Sequence, residues 1–309
     1  MDESENPDRR PRRSVVSYVR RSPRMTASQR VWMDAYAPRW VIDVAHGDLA
    51  TSVAPQPCLD LTAIFGRRAP LVVEIGSGHG ETLTAAALSH PEVDFLGFEV
   101  FEASIAATLG KIAANSLENV RLVCADAVSG LTHLIPDRSV DEIWVFFPDP
   151  WQKKRHNKRR LISPEFADLA AHRLVHGGTL RLATDWESYA DHMSEVLGGD
   201  ERFELVSTER FSTRPVTKFE ARGIEAGREI RDFTYRVVGD GDQFIQQGTS
   251  LLFTHSIEHH SKSENVELLR QDDKHRKSEV GHGDPDFRQD DTGGEHDDTR
   301  DSGMTGRMG

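Results

Sequence analysis

The sequence predicts an α/β domain with a mostly parallel sheet and helices on both of its faces. Short apolar runs alternate with segments of helical composition along most of the chain. The first of these runs passes directly into a glycine-rich turn, and several of the others end close to an acidic residue. Together these features are typical of a parallel sheet that binds a ligand at the carboxyl ends of its strands.

The first strand is predicted at 70–75, where the apolar run PLVVEI precedes the glycines. Four more strands follow from apolar runs at 93–100, 119–127, 140–150 and 179–185. Helices are predicted between them at 81–90, 103–116 and 163–178. For the last helix, Ser163 is the predicted N-cap, Pro164 the first helical residue and Gly177 the end.

The chain changes rhythm after the fifth strand. The runs FELVST at 203–208 and IRDFTYRVV at 230–238 are both strand-like, and no full crossover helix is predicted between them. They suit an antiparallel pair that closes one edge of the sheet. The prediction is therefore a mostly parallel, seven-stranded sheet with an antiparallel edge.

The two ends of the chain differ in composition from its middle. Residues 1–24 hold seven Arg and four acids without apolar periodicity, which is typical of a disordered basic arm. From His255 onward, 14 acids outnumber eight Lys or Arg, so this segment carries −6 of the formal net charge of −12. We expect one folded domain over 25–240 and an acidic, low-complexity, disordered tail over 241–309.

Cysteine content and hydropathy exclude several classes of protein. Cys58 and Cys124 are too few and too far apart for a disulfide framework or a zinc site, and we expect no metal. No apolar run reaches the ~18 residues that a membrane span needs, and the Arg-rich start lacks the apolar core of a signal peptide. The sequence predicts a soluble, cytoplasmic protein with no membrane partner, and leaves the choice between monomer and homodimer open.

Acidic side chains recur where the predicted strands end. They are Glu74, Glu99, Asp126, Asp149 and Asp185. Because the carboxyl ends of parallel strands meet at one edge, we expect these carboxylates to line a shared ligand site. The alternative is that they are ordinary solvated caps of the strand ends.

The glycine turn at 76–80 favours one class of cofactor over another. Glycines let a ligand approach the backbone closely, but Glu81 stands where a dinucleotide fingerprint needs Gly, and its charge would repel a pyrophosphate. S-adenosylmethionine fits better, because it has no phosphate and carries an ammonium and a sulfonium. Glu99 is then placed for the ribose hydroxyls, Asp126 for the adenine amino group and Glu74 for the methionine end. The predicted cofactor-binding residues are Glu74, Gly76, Gly78, Glu99, Asp126 and Asp149.

The stretch FFPDPWQKKRHNKRRL at 146–161 combines an acid with the densest group of cations in the chain. Asp149 lies between two prolines, and six of the eight residues from Lys153 to Arg160 are Lys or Arg. Such a run suits contact with nucleic-acid phosphates, although Lys and Arg clusters are also common on solvated faces. Trp151 either stacks on a base or covers the end of the sheet.

These motifs together resemble the bacterial tRNA (guanine-N7)-methyltransferase family. The residues that carry the likeness are at 74–80, 97–100, 146–160, 184–185 and 217–220, and the likeness covers roughly 25–240. It implies a Rossmann-like class I methyltransferase fold, S-adenosylmethionine as the cofactor and tRNA as the partner. It also implies transfer of the methyl group to N7 of a guanosine, position 46 of the variable loop. Neither end of the chain is covered.

The resemblance also assigns roles to single residues. It implies that Asp149 is catalytic as well as cofactor-binding. It implies substrate or RNA contacts for Lys153, Arg155, His156, Asn157, Lys158, Arg159, Arg160, Asp185, Thr217, Lys218, Phe219 and Glu220. The chemistry agrees, because guanine N7 is an unprotonated lone pair that needs positioning and charge stabilisation, not a strong base.

Two other functions stay open on the residues alone. An enzyme acting on an exocyclic amine would carry Asp or Asn, two prolines and an aromatic residue, from which Pro148-Asp149-Pro150-Trp151 departs by one Pro. A non-catalytic RNA-binding module on the same scaffold is the other alternative.

Overall fold

The computed structural model describes residues 17–18 and 24–238. Most of the predicted basic arm over 1–24 lies outside these residues, and the predicted tail over 241–309 lies wholly outside them. Both segments therefore remain predictions.

One seven-stranded sheet organises the described part of the chain, with the strand order β3-β2-β1-β4-β5-β7-β6. Its strands are β1 (Leu71–Ile75), β2 (Asp94–Phe98), β3 (Val120–Val123), β4 (Val140–Phe146), β5 (Leu174–Thr184), β6 (Phe203–Ser207) and β7 (Arg231–Val237). The first five pair in parallel, whereas β7 is antiparallel to both β5 and β6. The predicted mostly parallel sheet with an antiparallel pair at its edge is confirmed.

Helices cover both faces of the sheet, as predicted. They are α1 (Ala27–Trp40), α2 (Leu61–Phe65), α3 (Glu81–Ser89), α4 (Glu102–Ala114), α5 (Ala127–Leu134), α6 (Pro164–Arg173), α7 (Glu187–Gly198) and α8 (Lys218–Glu225), with a 3₁₀ helix at Lys154–Arg159. Successive residues of β1 point to opposite faces. Val72 packs in an apolar cluster with side chains of α1, α3 and α4, and Val73 packs in another with side chains of α5, α6 and α7.

Helix α6 begins as predicted but ends earlier. The Ser163 hydroxyl accepts a hydrogen bond from the backbone N–H of Phe166, and Pro164 is the first helical residue. The predicted end at Gly177 is wrong, because the helix stops at Arg173 and Leu174 already pairs with β4. Gly177, at φ +79°, lies where the register between β4 and β5 shifts. Its positive φ serves this irregularity in the strand instead of a helix end.

The strand order places the candidate site. It reverses between β1 and β4, whose neighbours on either side are β2 and β5. In open parallel sheets, ligands bind beyond the carboxyl ends of the strands at such a reversal. The glycine turn follows β1 and the Asp149 segment follows β4, so both lie at this position.

Candidate active site

The glycine turn after β1 combines an open surface with a tight packing contact. Gly76, Gly78 and Gly80 all have positive φ, at +69°, +54° and +72°. No heavy atom lies within 4 Å of a Cβ built on Gly76, so its backbone is open to a ligand. A Cβ on Gly80 would lie 2.4 Å from Cγ2 of Thr108, so that glycine is needed for packing between α3 and α4.

Glu99 fastens this turn to the end of β2. Its Oε2 accepts a hydrogen bond of 2.9 Å from the backbone N–H of Gly78. Its Oε1 accepts bonds of 2.7 and 3.0 Å from the N–H groups of Val100 and Phe101 at the start of α4. Burial raises the pKa of Glu99, and these three N–H groups lower it. The carboxyl is thus held rigidly, and Oε2 keeps capacity for a further donor such as a hydroxyl.

Glu74 is an unusual buried acid beside the turn. Its side chain lies inside the sheet, where burial and then the charge of Glu99 raise its pKa to about 8, opposed by the backbone N–H of Leu83. Within the described ranges, Oε2 of Glu74 and Oγ of Ser77 have no hydrogen-bond partner. Buried polar atoms are nearly always paired in native proteins, so an unpaired carboxyl oxygen in the strand that leads into the glycine turn suits a ligand with donor groups. The residues therefore fit S-adenosylmethionine, whose ammonium is such a donor.

Asp126 has a structural role that the sequence did not reveal. It is the N-cap of α5, and its Oδ1 accepts a 3.0 Å bond from the backbone N–H of Ser129. Its own N–H donates to the carbonyl of Thr51 at 2.6 Å. This role resembles the alternative in which the acids only cap the ends of strands. The contact of Asp126 with adenine remains a prediction.

Asp149 lies half-buried in a turn with an unusual backbone. Phe147 and Trp151 on either side both have positive φ, at +52° and +48°, which is rare for bulky residues. Burial is the main cause that raises the pKa of Glu99 and that of Tyr189, the latter to about 12. The charge of Asp149 raises both pKa values further. Asp149 is therefore near both groups. The structure brings Glu74, Glu99 and Asp149 together at one edge of the sheet.

Trp151 makes several contacts of its own at the rim of the site. Its indole N–H donates to the carbonyl of Ser17 at 2.9 Å, and the guanidinium of Arg159 lies 4.8 Å from a ring centroid. The His156 ring meets it edge-on at 6.0 Å. These contacts pack the indole against the basic run and residue 17, and both predicted roles of Trp151 remain predictions.

The basic run forms the short 3₁₀ helix that follows the Asp149 turn, an element the sequence did not predict. Burial and four neighbouring cations lower the pKa of His156. The members differ in exposure: Lys153, Lys154, Arg155 and Lys158 are exposed, His156, Asn157 and Arg159 are partly buried, and Arg160 is buried. The prediction from the sequence did not distinguish exposed from buried members of the run.

The other predicted substrate residues divide between surface and interior. Asp185 pairs with Arg228, whose Nε lies 2.8 Å from Oδ2. The Thr217 hydroxyl caps α8 by accepting the backbone N–H of Glu220 at 3.3 Å, and Lys218 is described by its backbone alone. Phe219 is 70% exposed, whereas Glu220 is only 1% exposed.

Comparison with known proteins agrees with this geometry. The family model described as "Putative methyltransferase" matches residues 68–233. A tRNA (guanine-N(7)-)-methyltransferase of Cutibacterium acnes is 50% identical over 237 residues, covering 75% of this chain and 86% of the relative. A protein of the same name from a Nocardioides species is 47% identical, covering 74% of this chain and 90% of the relative. Another from Methylococcus capsulatus is 46% identical, covering 73% of this chain and 95% of the relative.

The chain belongs to the tRNA (guanine-N7)-methyltransferase family. The resemblance drawn from the motifs is thereby confirmed, and so is the class I methyltransferase fold. The matched residues 68–233 include the glycine turn, the Asp149 segment and the loop before β7.

Two absences complete the description of this family member. In the part of the chain given by 17–18 and 24–238, no helix is long and apolar enough to cross a membrane. Over the same residues, no group of three or more His, Cys, Asp or Glu side chains could hold a metal ion.

Arg214 makes buried contacts beside the site that sequence reasoning did not reveal. Its guanidinium is fully buried and lies 2.8 Å from both Glu220 and Asp232. It also lies over the ring of Phe147, 5.1 Å from the centroid. The only signal was its position near 217–220, because the partner in β7 is distant in sequence.

Proposed function

We propose that this chain transfers the methyl group of S-adenosylmethionine to N7 of the guanosine at position 46 in the variable loop of tRNA. The observation that carries the proposal is the set of three carboxyl groups, Glu74, Glu99 and Asp149, beside an open glycine turn at the reversal of strand order. Membership in the tRNA (guanine-N7)-methyltransferase family supports the same reaction.

The residues of the site divide the work between binding and charge stabilisation. S-adenosylmethionine supplies an activated methyl group on a sulfonium. Glu99 offers a fixed acceptor for the ribose, and Glu74 offers a buried oxygen for an ammonium. Asp149 holds the guanine edge and stabilises the positive charge that the purine gains, and preorganised charges of this kind are among the largest contributions to catalysis.

No side chain has to act as a strong base. Guanine N7 is a lone pair, so alignment with the methyl carbon is the main requirement, and good orientation is worth up to ~7–11 kcal/mol. The pair of positive-φ residues around Asp149 fits a group that is held in one orientation.

The exposed cations in the 3₁₀ helix and at its N-cap are the proposed contact for tRNA phosphates. Lys153, Lys154, Arg155 and Lys158 face solvent directly after the Asp149 turn. Charges are screened over ~10 Å at 0.1 M salt, so this local group governs the contact in spite of the net charge of −12. Phe219, exposed at the start of α8, offers a ring on which a base can stack.

Neither alternative function gains support. The relatives at 46–50% identity are named for guanine N7, not for an exocyclic amine. A non-catalytic RNA-binding module would have no need for a buried, unpaired Glu74 oxygen or for carboxyl groups gathered at one strand edge.

The direct test is methyl transfer by the purified protein to tRNA from a strain that lacks 7-methylguanosine. Labelled S-adenosylmethionine should transfer its methyl group, and digestion should yield 7-methylguanosine. Changing the guanosine at position 46 to adenosine should remove the signal. Methylation of another nucleoside, or of the altered tRNA at an unchanged rate, would refute the assignment.

Asp149→Asn is the matching test of the catalytic residue. Loss of one preorganised charge should lower kcat by roughly 10²–10³-fold, while tRNA affinity changes by a few fold at most. Asp34→Asn, an exposed change of the same kind on α1, is the control for net charge. An Asp149→Asn enzyme as active as the control would remove Asp149 from the mechanism.

We propose the cytoplasm as the place of this reaction. The substrate is tRNA, and both Cys58 and Cys124 are free thiols. Burial and the charges of Glu102 and Glu99 raise the pKa of Cys124 to about 11, which makes it an unreactive thiol.

A further inference from the structure

Arg160 differs from the other cations of the basic run. It is 7% exposed, whereas its neighbours at 153–155 and 158 face solvent. Its guanidinium donates from Nε to the carbonyl of Pro150 at 3.1 Å. It also donates to the carbonyl and the hydroxyl of Ser188, at 2.9 and 3.0 Å. A group with these bonds presents little of its charge to a phosphate in solvent.

The partners of Arg160 lie in the segments that follow β4 and β5. Pro150 directly follows Asp149 at the end of β4, and Ser188 lies at the start of α7, just after Asp185 at the end of β5. The guanidinium also lies 4.8 Å from the ring centroid of Tyr189, one of the two groups whose pKa reports the nearby charge of Asp149. Arg160 thus joins the Asp149 turn to the start of α7.

The turn needs such a support, because its backbone is strained. Residues with positive φ other than glycine cost on the order of 1–3 kcal/mol each and persist only where their surroundings hold them. Phe147 and Trp151 are two such residues, with Asp149 between them. Arg214 covers the ring of Phe147 at one end, and Arg160 holds the carbonyl of Pro150 at the other.

We propose that Arg160 is a positioning residue that fixes the Asp149 turn against α7, and that it is not a ligand of tRNA phosphates. This inference rests on the proposed methyl transfer. Three nitrogens of the planar arginine fork bond Pro150 and Ser188 at once, a geometry that the compact ammonium of a lysine does not reproduce. A lysine does replace an arginine tolerably as a partner of a phosphate, since the charge is kept.

Arg160→Lys separates the two roles. A positioning role predicts a kcat at saturating tRNA lower by about 10-fold or more, as expected when a reacting group moves by a fraction of an ångström. It also predicts an unchanged tRNA Kd and an unchanged dependence of log Kd on log salt. Lys158→Ala, the exposed neighbour, should raise Kd and flatten that dependence by about 0.7–0.9.

A second variant covers the case in which Arg160→Lys loses its fold. Ser188→Ala removes one acceptor of the bridge from the opposite side and should also lower kcat without altering the salt dependence. The double variant should be little worse than Arg160→Lys alone, because both changes break the same bridge. Melting temperatures of all variants show whether the domain remains folded.

The outcomes are distinct from those for the function itself. Wild-type protein that methylates no tRNA would refute the proposed function, whereas the salt dependence of binding would still report the role of Arg160. Normal kcat in Arg160→Lys, or Arg160→Ala flattening the salt dependence as Lys158→Ala does, would overturn the positioning role.

Discussion

Glu74 shows how a single residue can be arranged for a ligand at the expense of stability. Its carboxyl is buried in β1 beside Glu99, and one oxygen has no partner among the described residues. The pKa rises from 4.5 to about 8, so the protein takes up a proton there on folding at neutral pH. The stability of the ligand-free protein must therefore depend on this group.

The sign of that dependence follows from proton linkage. Between pH 4.5 and about 8 the folded protein binds more protons at Glu74 than the unfolded chain does. The contribution of Glu74 to stability is fully present below this window and is lost as pH rises through it, by at most about 1.4 kcal/mol per pH unit. Glu74→Gln has no such proton, so its free energy of unfolding should be less dependent on pH from 5 to 8.

Denaturant unfolding at several pH values, without cofactor, measures the effect. The exposed Glu201→Gln serves as the control and should follow the wild-type profile. If the Glu74→Gln profile also runs parallel to the wild type, Glu74 titrates at an ordinary value and the buried-acid description is wrong.

At the scale of elements, two effects of substituting a glycine in the turn can be separated: backbone strain and the loss of contact with the ligand. Gly76 and Gly66 have nearly equal φ values, +69° and +71°, and neither has a heavy atom within 4 Å of a built Cβ. Gly66 ends α2, whereas Gly76 begins the turn after β1. An alanine at either position should cost about 1–2 kcal/mol in backbone strain.

Only Gly76→Ala should also weaken cofactor binding, because its methyl group enters the space that the ligand occupies. Calorimetric titration with S-adenosylmethionine compares the two variants, and thermal unfolding without ligand compares their stability. Equal affinities in the two variants would mean that the open backbone at Gly76 does not face the cofactor.

The elements also show what the sequence could and could not predict. Strands β1 to β5 each contain a short run rich in apolar residues, so their existence follows from the sequence pattern. The early end of α6 could not be predicted from the pattern, because Leu174 joins the sheet by pairing with a distant residue in β4. The inward direction of Glu220 depends in the same way on Arg210 and Arg214, which reach it through the fold of the loop before α8.

The candidate site divides along the same line. The acids after β1, β2 and β4 could be placed at one edge from the strand pattern, since parallel strands bring their ends together. The different exposure and contacts of neighbouring cations could not be predicted. Arg159 lies over the ring of Trp151, whereas Arg160 is bonded to Ser188 in α7. The two side chains take different directions because of the 3₁₀ geometry and because Ser188 offers acceptors.

At the scale of the whole molecule, the charge of the chain is unevenly distributed, and the acidic segment should weaken tRNA binding. Residues 255–309 hold 14 acids and eight Lys or Arg, a balance of −6, while the densest run of cations in the sequence lies in and beside one short helix. Removing residues 255–309 should therefore tighten tRNA binding at low salt. The gain should vanish near 1 M salt, where screening acts over ~3 Å.

The matched control keeps the length of the segment and replaces its acids by Asn and Gln. It should bind tRNA as tightly as the truncated protein if charge is the cause, and as weakly as the full chain if bulk is. Binding isotherms from low to high salt separate these outcomes, and the melting temperature should stay the same, because the sheet and both apolar clusters lie within 24–238. Equal affinity of the full and truncated chains at every salt concentration would show that the acidic segment does not compete for the basic helix.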